Sequence, residues 1–179
     1  MTAKDPAVTP GWAAYRAELL GLVGDDDPAE VQASTPAAVR ERVAMASAAG
    51  VLRTAPAPGE WSVLGLVGHL LDGEIYASAR YRWILSEDRP ALEGYDQDRV
   101  ANASRHADAD PEVLLAGWEG LRRANLSLWS GSTPEQRERD GVHLERGPST
   151  FELLFREIAG HDRFHQAQMD RTIAAVRSR

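Results

Sequence analysis

Seven positions near the C-terminus constrain this chain most: Phe151, Leu154, Ile158, His161, His165, Gln168 and Thr172. They recur at alternating three- and four-residue steps, which on an α-helix draws one unbroken stripe. The stripe is apolar where it starts and polar from His161 onward. Ser149-Thr150-Phe151-Glu152 reads as a capping box at its head, and the helix is expected to run to about Val176. Such a helix must bury its apolar half against other elements. It also carries two imidazoles where core leucines would otherwise stand. His161 and His165 share one face, about one turn apart. A divalent cation can bridge them if a third ligand arrives from another element. Without that ligand they are two hydrogen-bonded histidines on a helix.

The rest of the chain repeats the helical period. Thr9-Pro10 reads as a helix start, with residues 1–9 polar and frayed before it. The first helix is expected from about Gly11 to Val23, burying Trp12, Tyr15, Leu19 and Leu22. Asp27-Pro28 and Thr35-Pro36 are two further cap-like pairs. The second predicts a short helix through Val39, Val43 and Ala46 that stops near Gly50. Thr54 to Gly59 reads as a linker. Ser62 caps a long helix from Val63 to about Ser86, and Asp110-Pro111 opens another that ends at Gly131. Between them, Glu87 to Ala109 is polar and lacks a helical period, as expected of a crossover, lid or binding loop. Thr133-Pro134 starts a short turn, and Gly141 to Pro148 reads as a loop. Val142-His143-Leu144 is the one faint strand candidate. The expected fold is therefore all-α, one domain over residues 1–179. It is a four-helix bundle whose long connection lets two consecutive helices run in the same sense.

Bundles build metal sites from inward side chains on facing helices. Of the five histidines, His106 and His143 fall in irregular segments and read as solvated. His69, His161 and His165 fall in long helices near inward faces, and three imidazoles with an open position are the pattern of a catalytic metal site. Asp162, about 100° around the wheel from His161, reads as a flank residue, and Asp72 as solvated or salt-bridged. The metalloprotease signature is missing, because the residue after His161 is Asp and not Glu. Tyr76, Arg80 and Gln168 are candidate pocket-lining groups by stripe position; packing, an ion pair and a helix-face hydrogen bond are their plainer roles.

With no cysteine among 179 residues, disulfides and thiolate ligands are excluded. A formal charge of −7, with Lys4 the sole lysine, argues against a nucleic-acid partner. No apolar run reaches membrane-spanning length, and no signal-peptide core is visible, so the location expected is cytoplasmic with no membrane partner.

Four motifs, in order, resemble the DinB/YfiT-like superfamily: Pro58-Gly59-Glu60-Trp61-Ser62-Val63, Gly68-His69-Leu70-Leu71-Asp72, Gly94-Tyr95-Asp96 and Gly160-His161-Asp162-Arg163-Phe164-His165-Gln166-Ala167-Gln168. The resemblance covers about Pro58 to Met169. It implies a bundle in up-down-down-up order and a divalent metal, zinc or nickel, on His69, His161 and His165. It also implies a homodimer. Members resembling this chain include bacillithiol S-transferases and mycothiol-dependent maleylpyruvate isomerase, which implies a low-molecular-weight thiol co-substrate acting on a small-molecule substrate. Two other readings stay open: a hydrolase using metal-bound hydroxide, and a non-enzymatic stress-related metal-binding protein. No residue is assigned as catalytic at this stage.

Overall fold

The computed structural model describes residues 10–178, so the frayed segment and the Thr9 cap expected from the sequence lie outside the described residues. Among the described residues seven α-helices make up most of the length: α1 (Pro10–Val23), α2 (Pro28–Ala48), α3 (Val63–Ser86), α4 (Gln97–Ala103), α5 (Pro111–Ser130), α6 (Pro134–Arg137) and α7 (Phe151–Arg177). A 3-10 turn spans His106–Asp108. Strands β1 (Ala91–Leu92), β2 (Asp140–His143) and β3 (Gly147–Thr150) form one small sheet, β2 parallel to β1 and antiparallel to β3. Helix makes up 71% of the structure, so the fold is essentially all-α as expected.

Helix starts follow the capping chemistry of the sequence. The side chains of Asp27, Ser62, Asp110 and Thr133 each accept from a backbone N–H of the first turn, a contact worth about 1 kcal/mol apiece. One cap moves by a residue. Thr150, not Ser149, caps α7 by accepting from Leu153 N at 3.0 Å, while Ser149 Oγ accepts from Arg16. The cap shifts because β3 keeps pairing through Thr150, opposite Asp140.

The short helix expected from Thr35-Pro36 is instead the second half of one 21-residue helix that begins at Asp27-Pro28. An internal proline removes the donor for the carbonyl four residues back, here that of Gln32. Arg122 fills the gap by donating from Nη1 to Gln32 O at 3.3 Å, so α2 runs on through Pro36.

Residue pairings fix the helix directions. Glu74 with Arg122 and Ser78 with Asn125 advance together, so α3 and α5 are parallel. Gln32 with Phe155 and Arg42 with Asp170 do the same for α2 and α7. His69 with His161 and Tyr81 with Phe151 run in opposition, so α3 and α7 are antiparallel. Arg40 with Glu119 and Gln32 with Arg122 likewise oppose α2 and α5. The order is up-down-down-up, with the crossover between α3 and α5.

Beside a small apolar cluster of Val23, Val31 and Ala159, two large ones dominate the core of the described residues. One holds Leu66, Leu70, Trp118 and Met169; the other holds Tyr81, Trp129, Phe151 and Phe155, with Trp129 and Phe155 stacked at 4.1 Å. Along α3, α5 and α7, a buried polar layer of Glu74, Arg122, Asn125 and Asp162 falls between them. On α1, Leu19 and Val23 are buried whereas Leu22 is exposed, contrary to expectation. That helix packs on α7 at Gly160, where no side chain separates the backbones, and this sets which of its faces turns inward.

Candidate metal centre

The antiparallel packing of α3 on α7 brings His69 opposite the His161–His165 pair. Nε2 of His161 lies 2.9 Å from Nε2 of His69 and 3.0 Å from Nε2 of His165. Among the described residues these three form a group of potential ligands whose atoms all lie within 4.8 Å of one another. The Trp61 ring covers His69 at a centroid distance of 4.6 Å.

Burial holds the three rings neutral. His69 is pushed down to about 3, chiefly by burial and then by the charge of His165. His165 is pushed down to about 4, burial outweighing its hydrogen bond to Gln168. His161 falls well below the ordinary imidazole value for the same first cause, reinforced by His165 and His69. Neutral imidazole is the form that binds a metal.

The donor set fits a divalent cation. Gln168 Oε1 accepts from His165 Nδ1 at 2.8 Å, which places that ring's proton on Nδ1 and turns the Nε2 lone pair toward the cluster. Bare lone pairs 2.9–3.0 Å apart repel unless a proton or a cation lies among them. A tetrahedral shell with metal–nitrogen bonds of about 2.1 Å holds its ligand atoms about 3.4 Å apart, so the two short separations from His161 need open by only a few tenths of an ångström, within a group that spans no more than 4.8 Å. His69 Nδ1 is buried without a hydrogen-bond partner, leaving that ring less firmly held than His165.

His69 and His161 also line a cavity of about 130 Å³, near the scale that admits one aromatic ring. Trp12, Tyr15, Arg80, Tyr95, Arg146 and Glu157 contribute to its wall. Of the pocket candidates, Arg80 lies in this wall. Tyr76 stacks on Tyr95 at 3.8 Å from outside the lining, and Gln168 serves His165.

Three sequence expectations change, at His106, His143 and Asp162. His106 is buried, its Nε2 bonded to Asp72 Oδ2 at 2.7 Å, because the crossover folds its 3-10 turn onto α3 beside Gly68. Asp72, expected to be solvated or salt-bridged, is accordingly buried and paired with His106. His143 is buried in β2, its Nδ1 accepting from Glu145 N. Asp162 is fully buried and ion-paired with Arg122 rather than lying on a flank.

Trp12, Tyr15, Arg146 and Glu157 were not anticipated as site residues. Glu157 carried a readable signal: it stands one turn before His161 on the same helix face. Tyr95 lies inside one of the four motifs. Arg146 had no local signal, since a hairpin turn and α1 meet only in the folded chain.

A family model described as the DinB superfamily matches residues 16–169. A Bacillus subtilis protein named "Putative metal-dependent hydrolase YfiT" is 30% identical over 101 residues, 56% of this chain and 54% of its own length. "Putative metal-dependent hydrolase OB0413" of Oceanobacillus iheyensis is 24% identical over 111 residues, 62% of this chain and 64% of its own length. The chain thus matches less than two thirds of either relative. The solved structure of YfiT from Bacillus subtilis, described as a probable metal-dependent hydrolase with an unusual four-helix bundle topology, superposes with a TM-score of 0.72 at 21% identity. It covers 96% of this chain and 91% of that one.

Proposed function

The chain belongs to the DinB superfamily, and we propose that it is a divalent-metal-dependent enzyme that transfers a small thiol to an electrophilic substrate. His69, His161 and His165 hold the cation, zinc or nickel. The observation that carries the reading is that two of the three clustered histidines, His69 and His161, form part of the wall of a small cavity. A structural metal would close its shell with a fourth protein ligand; a cavity at the cluster leaves room for a substrate atom. A divalent cation bound there supplies Lewis acidity, which lowers the pKa of a thiol or water ligand.

The chain's own residues do the rest. Trp61 shields His69 on one side, and Gln168 holds the tautomer of His165. The chain has no cysteine, so the nucleophilic sulfur comes from a co-substrate.

Hydrolysis is the second reading, favoured by the names of the relatives and by Glu157. This carboxylate lines the same cavity, and burial raises its pKa despite Arg16 beside it, the condition of a group able to exchange a proton. Arg16 Nε donates to it at 2.5 Å, so that role requires the pair to part.

The experiment mixes the zinc- or nickel-loaded protein with a generic electrophile, with and without small thiols. Thiol-dependent turnover that His161→Ala abolishes is expected. Thiol-independent ester cleavage would replace the transferase with the hydrolase, and absence of both would leave a binding protein. Assembly as a homodimer is part of the same proposal and rests on family resemblance, since Trp118 and Trp129 are core residues. Light scattering measures it.

A further inference from the structure

We infer that the cavity beside the three histidines takes a small organic anion, its carboxylate held by Arg80 and Arg146 and its apolar body against Leu154 and Ile158. The inference deepens the proposed function, resting on it for the view that this cavity receives substrate.

The argument is one of unmatched charge. Buried arginines are ordinarily paired with acids. Two arginines line this cavity, Arg80 from α3 and Arg146 from the turn between β2 and β3, and a third, Arg16 from α1, reaches its wall through Glu157. Among its lining residues one is acidic, Glu157. Arg16 takes that acid, with Nε at 2.5 Å, and adds Ser149 Oγ at 2.9 Å. This pair is neutral as a unit.

Arg80 is buried, yet its Nε and Nη2 donate to the backbone carbonyl of Glu93, a neutral acceptor. The Arg146 guanidinium lies over the Trp12 ring, 3.8 Å from its centroid. Among the described residues its side chain makes no hydrogen bond or ion pair. Two positive charges therefore face the cavity with no carboxylate in direct contact, since Glu157 is held by Arg16 and reaches them only through space. The remaining polar walls do not supply one. Tyr15 and Tyr95, pushed up to about 12 by burial, present neutral hydroxyls.

The same arginine charges also bear on His143. His143 is pushed down to about 4, first by burial and then by the charges of Arg146, Arg80 and Arg16. Burial also pushes Arg80 down to about 10 and lowers Arg146. The fold thus holds two guanidiniums partly desolvated and without a directly bonded acid, with Glu157 and, for Arg146, Glu145 acting only through space. A carboxylate entering the cavity makes charge-assisted hydrogen bonds with both, and Trp12 keeps Arg146 oriented for it. The apolar wall, which includes Ala77, Leu154 and Ile158, demands that the anion also carry a hydrophobic body. The volume limits that body to about one ring.

The test titrates the full chain calorimetrically, as purified and again after chelation, at constant ionic strength. Benzoate is the probe. Benzamide has its shape without the charge, and inorganic phosphate has charge without the apolar body. Benzoate is expected to bind at least tenfold more tightly than either. Arg146→Gln is expected to weaken benzoate tenfold or more and Arg146→Lys less. Arg123→Gln, exposed on α5, is expected to change nothing. Arg146 carries the test because Arg80 anchors the backbone at Glu93 and its loss could unfold the site. Equal binding of benzamide, equal binding of phosphate, or wild-type affinity in Arg146→Gln would overturn the inference. Because binding is read with and without metal, these outcomes are separate from any failure of thiol-dependent turnover.

Discussion

Both carboxylate oxygens of Asp162 accept from the guanidinium of Arg122, with Nη2 at 3.0 Å from Oδ1, and Asp162 is the residue after His161. The same guanidinium reaches Glu74 Oε2 from Nε at 2.9 Å, and Asn125 Nδ2 donates to Glu74 Oε1 at 2.7 Å. One buried cation thereby ties α3, α5 and α7 together at the level of the metal centre, and it supplies the donor that Pro36 denies to α2. Replacing Arg122 by Met leaves two carboxylates buried with no cation. Removing one partner of a buried pair costs about 3–5 kcal/mol, and urea denaturation of Arg122→Met should show a loss of that order. A loss below about 1 kcal/mol would mean that the network is not a stabilising one.

Gly160 should not tolerate a side chain. A Cβ there would lie 2.2 Å from the carbonyl oxygen of Leu19 and 2.6 Å from its carbonyl carbon. Both are backbone atoms, so relief requires α1 to move away from α7. Overpacking of this kind costs about 1–3 kcal/mol or more. Because Trp12 and Tyr15 ride on α1 into the cavity wall, Gly160→Ala should also weaken small-molecule binding. Thermal melts together with a crystal structure of the variant check it; an unshifted α1 would contradict the account.

What could be read in the sequence was local. Ser62, Asp110 and Thr133 cap the helices they were expected to cap, because a cap needs only the three residues that follow it. The histidine triad was legible because helical spacing and inward faces are properties of single segments. The misses all depend on partners distant in sequence. Pro36 stays helical because Arg122, 86 positions later, replaces the lost donor. His106 is buried because its turn packs on Gly68, where an added Cβ would lie 2.3 Å from the imidazole. Arg146 reaches the cavity through a hairpin whose strands are too short to announce themselves by alternation.

Removing ligands should separate metal content from stability. His69→Ala, His161→Ala and His165→Ala should each lose most of the bound zinc or nickel while keeping helicity, since the apolar clusters remain. His106→Ala should behave in the opposite way. It vacates a packed site against Gly68 and leaves the Asp72 carboxylate without its partner, a cost of about 2–4 kcal/mol, yet it removes no ligand. Elemental analysis beside urea denaturation distinguishes the two patterns. Full metal content in His69→Ala together with its loss in His106→Ala would refute the three-ligand assignment.

The metal-free protein should lose stability as the solution is acidified through the histidine range. The pKa values of His69, His161 and His165 in the folded chain lie below the ordinary value of 6.5, near 3 for His69 and near 4 for His165. For a depressed histidine the unfolded chain binds the extra proton first, so unfolding takes up protons and stability rises with pH. The contribution of each ring is therefore complete above pH 6.5 and declines as the pH falls toward the folded value. At about 1.4 kcal/mol per pH unit, each of the three imidazoles forfeits on the order of 2 kcal/mol between pH 7.5 and 5. Glu157 and Asp162, whose pKa values burial raises, act in the opposite sense and soften the slope at its acid end. Urea titrations at half-unit pH steps, with a chelator present, should show a net loss of several kcal/mol over that range. In His161→Gln the slope should be shallower by about one proton. A wild-type stability that stays level from pH 7.5 to 5 would show that the three rings are not held neutral by burial, and would remove the electrostatic case for a preformed cation site.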